Sequence, residues 1–581
     1  MPHELESKLY DHIAFIYGAE SADLITARIT ERLARFRAAY PELASSPPKH
    51  RVSERDSILI TYGDMVQHEG QPPIQTLADF VKKYLGDVVS AIHILPFYPY
   101  SSDDGFSVID YRAVNPAFGN WDDVARLGDN FRLMFDAVVN HISSQSVEFQ
   151  GFLEGDPDFQ EFFTVIEEGT DLSRVFRPRA TPVVTPYQTA DGEKLVWTTF
   201  NTDQIDLNYS NPDVLLEVID ILLFYAAQGA DFIRLDAVTY IWKEIGTDCI
   251  NLPRTHRIVQ LMRTVLDMAA PRVAIITETN VPHKDNIAYF GDGTNQAQMV
   301  YNFALPMLTL HAFHKGDVST LSAWAETLEL PSDQATFFNF LASHDGIGMM
   351  PVKNFLSIED LNEEVERTHK FGGFVSYKSN EDGSQSPYEL NINYLDALTD
   401  PGTPQEDIEM VAKRFLASQA IMLSLRGVPG IYFHSLFGSR NWREGVEETD
   451  RHRTINRQKL QLDELEAALR DPNTLTARVF KGYAHLLKTR QDYPAFHPMG
   501  GQQILRIHKN ILAILRTALD ESETVLCLTN VTDQPQTLSI APEKWNIPPI
   551  TKCCDLLDEK ACIEAGEILL APYQTRWVQL V

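Results

Sequence analysis

A chain of 581 residues, 44% hydrophobic and 10% aromatic, has material for several packed cores, since domains usually hold roughly 100–200 residues, and this composition excludes a disordered chain. Fifty basic against eighty acidic side chains leave a formal charge of −30, which argues against nucleic acid or an anionic membrane as partner because both repel such a surface. Five cysteines (Cys249, Cys527, Cys553, Cys554, Cys562) lack the double-pair spacing of a zinc site, and the adjacent Cys553–Cys554 reads as incidental.

The opening "MPHELESKLYDHIAFIYG" is acidic where a secretion signal is basic, and the apolar run from Ile221 to Ala230 is too short to span a bilayer. A soluble, cytoplasmic protein is expected. Ile25, Ile29, Leu33 and Phe36 recur at helical spacing, so residues 1–50 read as a helical extension laid against something larger and ended by "SSPPKH" at Ser45–His50.

Eight short apolar runs follow, each of buried-strand length: "SILITYG" from Ser57, "SAIHILPF" from Ser90, "RLMFDAVVN" from Arg132, "DFIRLD" from Asp231, "VAIITE" from Val273, "AQMVYNF" from Ala297, "TFFNFLASHD" from Thr336 and "GIYFHS" from Gly430. Amphipathic segments such as "PDVLLEVIDILLFYAAQ" from Pro212 separate most of them. Apolar strands alternating with helices predict a parallel sheet, and eight units predict an α/β fold of the (β/α)₈ TIM-barrel type over residues 51–500. Two insertions break the rhythm, at about 141–200 and 351–401, and are expected as long loops over the catalytic face. From 501 to 581 the pattern becomes that of a small antiparallel β-domain, read from "QILRIHKNILAILRT", "ETVLCLTNVT" and "TRWVQLV".

In such a barrel the strand ends carry the chemistry. Asp236 ends the fourth strand, Glu278 the fifth and Asp345 the seventh beside His344, while Asp136, Asn140 and His141 close the third. One such carboxylate is readily a helix cap, but three at the ends of barrel strands suit glycoside chemistry, where one attacks the anomeric carbon and another protonates the leaving oxygen. Arg234 lies two residues before Asp236, on the same strand face, and is expected to keep it anionic as a nucleophile must be. Glu278 has no cation beside it in sequence and is the candidate acid.

"DAVVNH", "FIRLDAV", "ITET" and "FLASHDG" resemble, in order and spacing, the conserved segments of the α-amylase superfamily, over roughly Ser57 to the C-terminus. The resemblance implies Asp236 as nucleophile, Glu278 as general acid/base and Asp345 as transition-state stabiliser, with Arg234, His141 and His344 in the glucose subsite. "SSDDGFSVIDY", "RPRA", "FNTDQIDLN", "SHDGIG" and "RTINR" further resemble the sucrose-phosphorylase subfamily. That family transfers glucosyl to inorganic phosphate with retention, so phosphate is implied as a co-substrate and no metal or organic cofactor is.

By the same resemblance Asp103 and Arg453 bind glucose hydroxyls, Phe106 and Phe200 pack on the ring, and Gln204 sits at the subsite border. Phosphorolysis must outcompete water, which calls for a cation on the acceptor side; Arg179 in "FRPRA" and Tyr388 in "SPYELNINY" match the family's phosphate-side arginine and loop tyrosine. Sucrose phosphorylases carry glutamine after that tyrosine, whereas this chain has Glu389, which departs from fructose binding. The helical extension and "FHSLFGSRN" from Phe433 look more like relatives acting on glucosylglycerate, glucosylglycerol or sucrose 6′-phosphate.

An anionic acceptor such as glycerate calls for a second cation, with Lys243, Arg177 and Arg440 as candidates; Glu389 alone favours a neutral polyol. The expected partners are a small glucoside, best read as glucosylglycerate, and phosphate, with a homodimer as one option for assembly. The alternatives are a hydrolase or transglucosidase on the same scaffold, and a non-catalytic amylase-like subunit.

Overall fold

The computed structural model describes residues 2–45, 51–380, 382–400, 407–539, 542–545, 553–563 and 567–580. Eight parallel strands close a barrel: β1 (Ile58–Thr61), β2 (Ala91–Ile94), β3 (Arg132–Ala137), β4 (Ala230–Leu235), β5 (Ala274–Thr277), β6 (Met299–Tyr301), β7 (Thr336–Asn339) and β8 (Val428–Tyr432). Six fall inside the apolar runs, while β4 begins one residue and β8 two residues before theirs. Sequential strands are neighbours, and closure sets Ile58 opposite Gly430. Helices cover the outside and side chains fill the inside, so the strands are buried on both faces and read as continuous apolar runs.

The predicted extension forms α1 (Pro2–Tyr17) and α2 (Ala19–Ala39), which lie on the barrel helices α3 (Pro212–Ala227) and α4 (Pro253–Ala269). Ile25, Ile29, Leu33 and Phe36 are the buried face of α2. Polar contacts fix the docking: Arg28 and Arg32 pair with Asp213 (2.5 Å) and Asp220 (2.9 Å), and the Tyr17 hydroxyl donates to the Tyr209 carbonyl (3.0 Å). The breaker residues 46–50 lie outside the described residues.

Both insertions are more ordered than the loops expected for them. The first holds a helix (Val147–Glu154) and an antiparallel sheet of Val165–Ile166, Gly192–Trp197 and Val184–Thr189; His141–Ser143 pairs with Gln204–Asp206 to strap its two ends together. The second holds a helix and a β-hairpin. Its helix, α6 (Ile358–Lys370), docks on α5 (Ala304–Lys315), where Glu364 meets His314 at 2.6 Å and His311 at 3.4 Å. Its hairpin, Phe374–Ser379 with Gln385–Asn391, adds to Ile347–Gly348 and places Glu389 opposite Gly348. The polar character that suggested a loop is the solvent face of α6. The end of this insertion, at Pro401, lies outside the described residues.

The C-terminal sheet runs Gly501–Ile504, Ile511–Thr517, Thr524–Asn530, Thr575–Leu580, Cys553–Asp555, Asp558–Ile563, so the run from Gln503 to Thr517 is two strands rather than one. The fully buried Arg516 ties it to the barrel by donating to the carbonyls of Ser424 (3.0 Å), His497 (2.7 Å) and Gly501 (3.1 Å). Cys249 and Cys527 are buried free thiols and Cys554 is exposed; the side chains of Cys553 and Cys562 lie outside the described residues. No helix among the described residues is long and apolar enough to cross a membrane.

Candidate active site

At the carboxyl end of the barrel, one pocket is lined by Asp236, Glu278, Asp345, Asp103, Phe106, His141, Phe200, Gln204, His344, Arg453, Arg179, Tyr388 and Glu389. Of the residues assigned from sequence to the carboxylate set and the glucose subsite, Arg234 is missing from that lining. It lies beneath the floor, 1% exposed.

Asp236 and Glu278 directly follow β4 and β5, so adjacent parallel strands deliver both carboxylates to one rim. Asp345 arrives differently. Its strand was expected to run to the aspartate, but β7 ends at Asn339 and a loop, held by Asn456 donating to the Asp345 carbonyl (3.2 Å), carries Asp345 back over the mouth. After Asp236 the backbone turns left-handed at Ala237 (φ 49°), an uncommon conformation for a residue with a Cβ. The turn aims the Ala237 N–H at Glu278 Oε2, 3.1 Å away.

Asp103 (φ 54°) and Asp104 (φ 49°) are also left-handed, and Gly105 follows at φ 107°. Any Cβ on Gly105 would lie 2.3 Å from the Pro96 carbonyl oxygen, so only glycine lets this turn press against the barrel rim. Arg457 holds the turn through Asp104 (2.7 Å) and donates from Nε to the His344 carbonyl (2.8 Å). The Phe106 ring stacks on His344, centroids 4.7 Å apart. His141 donates from Nε2 to the Phe106 carbonyl (3.0 Å), and the Gln204 amide donates to the same oxygen (3.1 Å).

Arg234 is expected to hold Asp236 anionic and to stand in the glucose subsite. Its Nη1 instead lies between Asp236 (2.8 Å) and Asp136, with which it is in even closer contact. Asp136 was expected at the mouth; it lies within β3, wholly buried, and also receives His93 (2.6 Å). Burial opposes its ionisation, but Arg234 and His93 outweigh that and hold Asp136 at about 2. Arg234 is therefore shared between the nucleophile candidate and a carboxylate below the pocket.

Burial, with Glu278 and Asp345 nearby, raises Asp236 above the ordinary carboxylate range despite Arg234; burial and Asp345 raise Glu278 likewise. Asp345 goes the other way. Although burial opposes ionisation there too, Arg453, His344 and Arg457 hold its carboxyl well below its usual value. Two raised carboxyls at adjacent strand ends are coupled, and each makes the other harder to ionise. The Arg234 hydrogen bond at 2.8 Å favours the anion on Asp236, so Glu278 is the better seat for a proton held by the pair.

The acceptor side differs from expectation. Lys243 is sequestered by Asp206 (2.7 Å) and Asn140 (2.9 Å), Arg440 pairs with Asp396 (2.6 Å), and Arg177 reaches across to the second insertion beside Asn380. None of the three lines the pocket. Nor is Glu389 a free negative charge, because Arg453 donates to it from Nε (3.1 Å) and Nη2 (2.5 Å) while Nη1 contacts Asp345 (2.6 Å). Arg179 lies between the rings of Phe200 (5.7 Å) and Tyr388 (5.8 Å), and makes no ion pair or hydrogen bond through its guanidinium among the described residues. Beyond it a wider cavity of about 530 Å³ opens, where Arg451 is also without an ion-pair partner among the described residues. Sequence reasoning missed Arg451, Tyr240 and Asn280, the last two being pocket residues a few positions after Asp236 and Glu278. Their offset from the strand ends was the available signal.

A closed (β/α)₈ barrel with three carboxylates at its carboxyl mouth is the architecture of a carbohydrate-active enzyme. Comparison with known proteins refines this. Residues 77–351 match the α-amylase catalytic domain. The chain is 47% identical to a glucosylglycerate phosphorylase of Spirochaeta thermophila over 98% of both chains, and 50% identical to one of Allomeiothermus silvanus over 92% of this chain and 94% of that one. The crystal structure of sucrose 6F-phosphate phosphorylase from Thermoanaerobacter thermosaccharolyticum superposes with a TM-score of 0.71 at 25% identity, covering 82% of this chain and 94% of that one. The chain belongs to the α-amylase family, in the subfamily of the sucrose and glucosylglycerate phosphorylases.

Proposed function

We propose that this protein is a retaining glucosylglycerate phosphorylase, converting glucosylglycerate and inorganic phosphate into α-D-glucose 1-phosphate and glycerate. Asp236 attacks the anomeric carbon as Glu278 gives its proton to the departing glycerate oxygen. Phosphate then attacks the glucosyl-Asp236 ester, the bond to Asp236 breaks with a second inversion, and the phosphate proton returns to Glu278. Asp345, kept anionic by Arg453, stabilises the positive charge that develops on the sugar ring. Asp103, Phe106, His141, Phe200, Gln204, His344 and Arg453 hold the glucosyl unit, and no step requires a metal or organic cofactor.

The observation that carries the reading is Arg179, a cation without a carboxylate partner at the rim of a pocket whose floor is acidic. A hydrolase has no need of it. Phosphate and glycerate are both anions that occupy this side in turn, and Arg179, with Arg451 further out, supplies positive charge for each. Near-full-length identity to glucosylglycerate phosphorylases supports glycerate as the partner alcohol.

The test is product analysis of the purified protein with phosphate and, separately, glucosylglycerate, glucosylglycerol, sucrose and sucrose 6′-phosphate. Equal amounts of glucose 1-phosphate and glycerate, formed only when phosphate is present, are expected from glucosylglycerate. Phosphate-dependent turnover of another glucoside in its place would reassign the acceptor. Free glucose at a rate independent of phosphate would replace the reading with a hydrolase.

A further inference from the structure

Glu389 is 2% exposed, yet its carboxylate faces the pocket. A buried carboxylate needs a partner, and this one has a particular geometry. Both its oxygens meet the Nε and Nη2 edge of Arg453, at 3.1 and 2.5 Å. A guanidinium gripped along one edge is fixed in plane and direction, which a single contact does not achieve. The remaining nitrogen, Nη1, is then held on Asp345 at 2.6 Å.

The backbone is shaped for this grip. The hairpin strand bearing Glu389 pairs with Ile347–Gly348, just after Asp345. Any Cβ on Gly346 would lie 2.8 Å from the Leu390 carbonyl oxygen and 3.0 Å from the Glu389 Cβ. The missing side chain at Gly346 thus allows the second insertion to seat Glu389 beside the loop that carries Asp345. Arg453 itself comes from a third segment, the short helical turn His452–Asn456.

We infer that Glu389 is a positioning residue for glucosyl transfer, aligning Arg453 against Asp345, and not a selector of the acceptor. Removing it loosens Arg453 for every reaction that passes through the glucosyl-enzyme, whichever alcohol or anion takes the sugar. The inference rests on the proposed glucosyl transfer but not on the identity of the acceptor.

The experiment compares Glu389→Gln, Glu389→Asp, Arg453→Gln and the Glu389→Gln/Arg453→Gln pair, with α-D-glucosyl fluoride as donor and phosphate, glycerate, glycerol or water as acceptor. Glu389→Gln is expected to lower donor kcat/KM roughly ten- to hundredfold, by a common factor across acceptors and with acceptor KM nearly unchanged. Glu389→Asp, which keeps the charge on a shorter arm, should recover part of the loss. The double variant should match Arg453→Gln within about twofold, because nothing is left to align. A change confined to acceptor KM, or losses that multiply in the double variant, would overturn the inference. Should Glu389→Gln fail to fold, the double variant leaves no lone buried charge, and its comparison with Arg453→Gln decides alone. A wild-type protein indifferent to phosphate would refute the proposed phosphorylase, while the water reaction would still decide the role of Glu389.

Discussion

Arg234 and Asp236, two residues apart on one strand, are a pair that the sequence makes visible; Asp136, the second claimant on Arg234, is ninety-eight positions away and reaches it only because β3 and β4 pair with Asp136 opposite Arg234. The same distinction holds on the acceptor side. Lys243, Arg177 and Arg440 were as plausible by charge as Arg179, yet only Arg179 stands at the pocket without a carboxylate to neutralise it. Its loss should therefore act on one half-reaction. Arg179→Ala is expected to lower kcat/KM for phosphate by about 10²–10³, the scale of removing a charge-assisted contact made in the transition state, while hydrolysis of α-D-glucosyl fluoride without phosphate changes little. Steady-state kinetics at varied phosphate measures both; an equal fall in hydrolysis would place Arg179 on the glucose side.

At the scale of elements, the second insertion matters because it brings Tyr388 and Glu389 to the pocket, and α6 anchors it. Glu364 on α6, 1% exposed, faces His311 and His314 of α5 and Arg367 of its own helix, while Asp360 of that helix reaches His311 (4.0 Å). Burial opposes its ionisation, but hydrogen bonds from the two histidines prevail and set it at about 2, below its usual 4.5. A carboxylate depressed on folding stabilises the fold above its unfolded value, and that stabilisation drains away as pH falls toward the folded value. Glu364→Gln should cost about 3–5 kcal/mol at pH 7, the range for breaking a buried pair, and the gap in Tm between wild type and variant should close between about pH 4.5 and pH 2. Thermal denaturation across that range tests it; a gap that stays constant would mean that the charge on Glu364 contributes nothing.

At the scale of the whole molecule, α1 and α2 contribute no residue to the pocket but cover the outer faces of α3 and α4. Their contribution is burial. Ile29, fully buried against the barrel, should lose about 3 kcal/mol as Ile29→Ala, by lost transfer energy and the cavity left behind. A fall in Tm with unchanged kcat/KM at 25 °C is expected, and a change in acceptor preference would instead tie the extension to the active site. The C-terminal sheet is bound to the barrel by Arg516, whose charge is met by carbonyl oxygens alone, so burial depresses it to about 9.

Strand number and the carboxylates at the strand ends were legible in the sequence from local pattern: apolar runs of strand length, helical spacing between them, and polar side chains placed where strands end. Asp103, Phe106, Phe200, Gln204, Arg179, Tyr388 and Arg453 were instead reached through the family resemblance. The helices of the extension were legible from local pattern too. The insertions were not, since α6 presents a polar face to water and reads like a loop until α5 is placed against its other side. Which charges cancel was also beyond local reading. Asp136 with Arg234, Glu389 with Arg453 and Lys243 with Asp206 are joined across long stretches of chain, and an electrostatic interaction depends on distance in space, which only the closed barrel and its folded insertions supply.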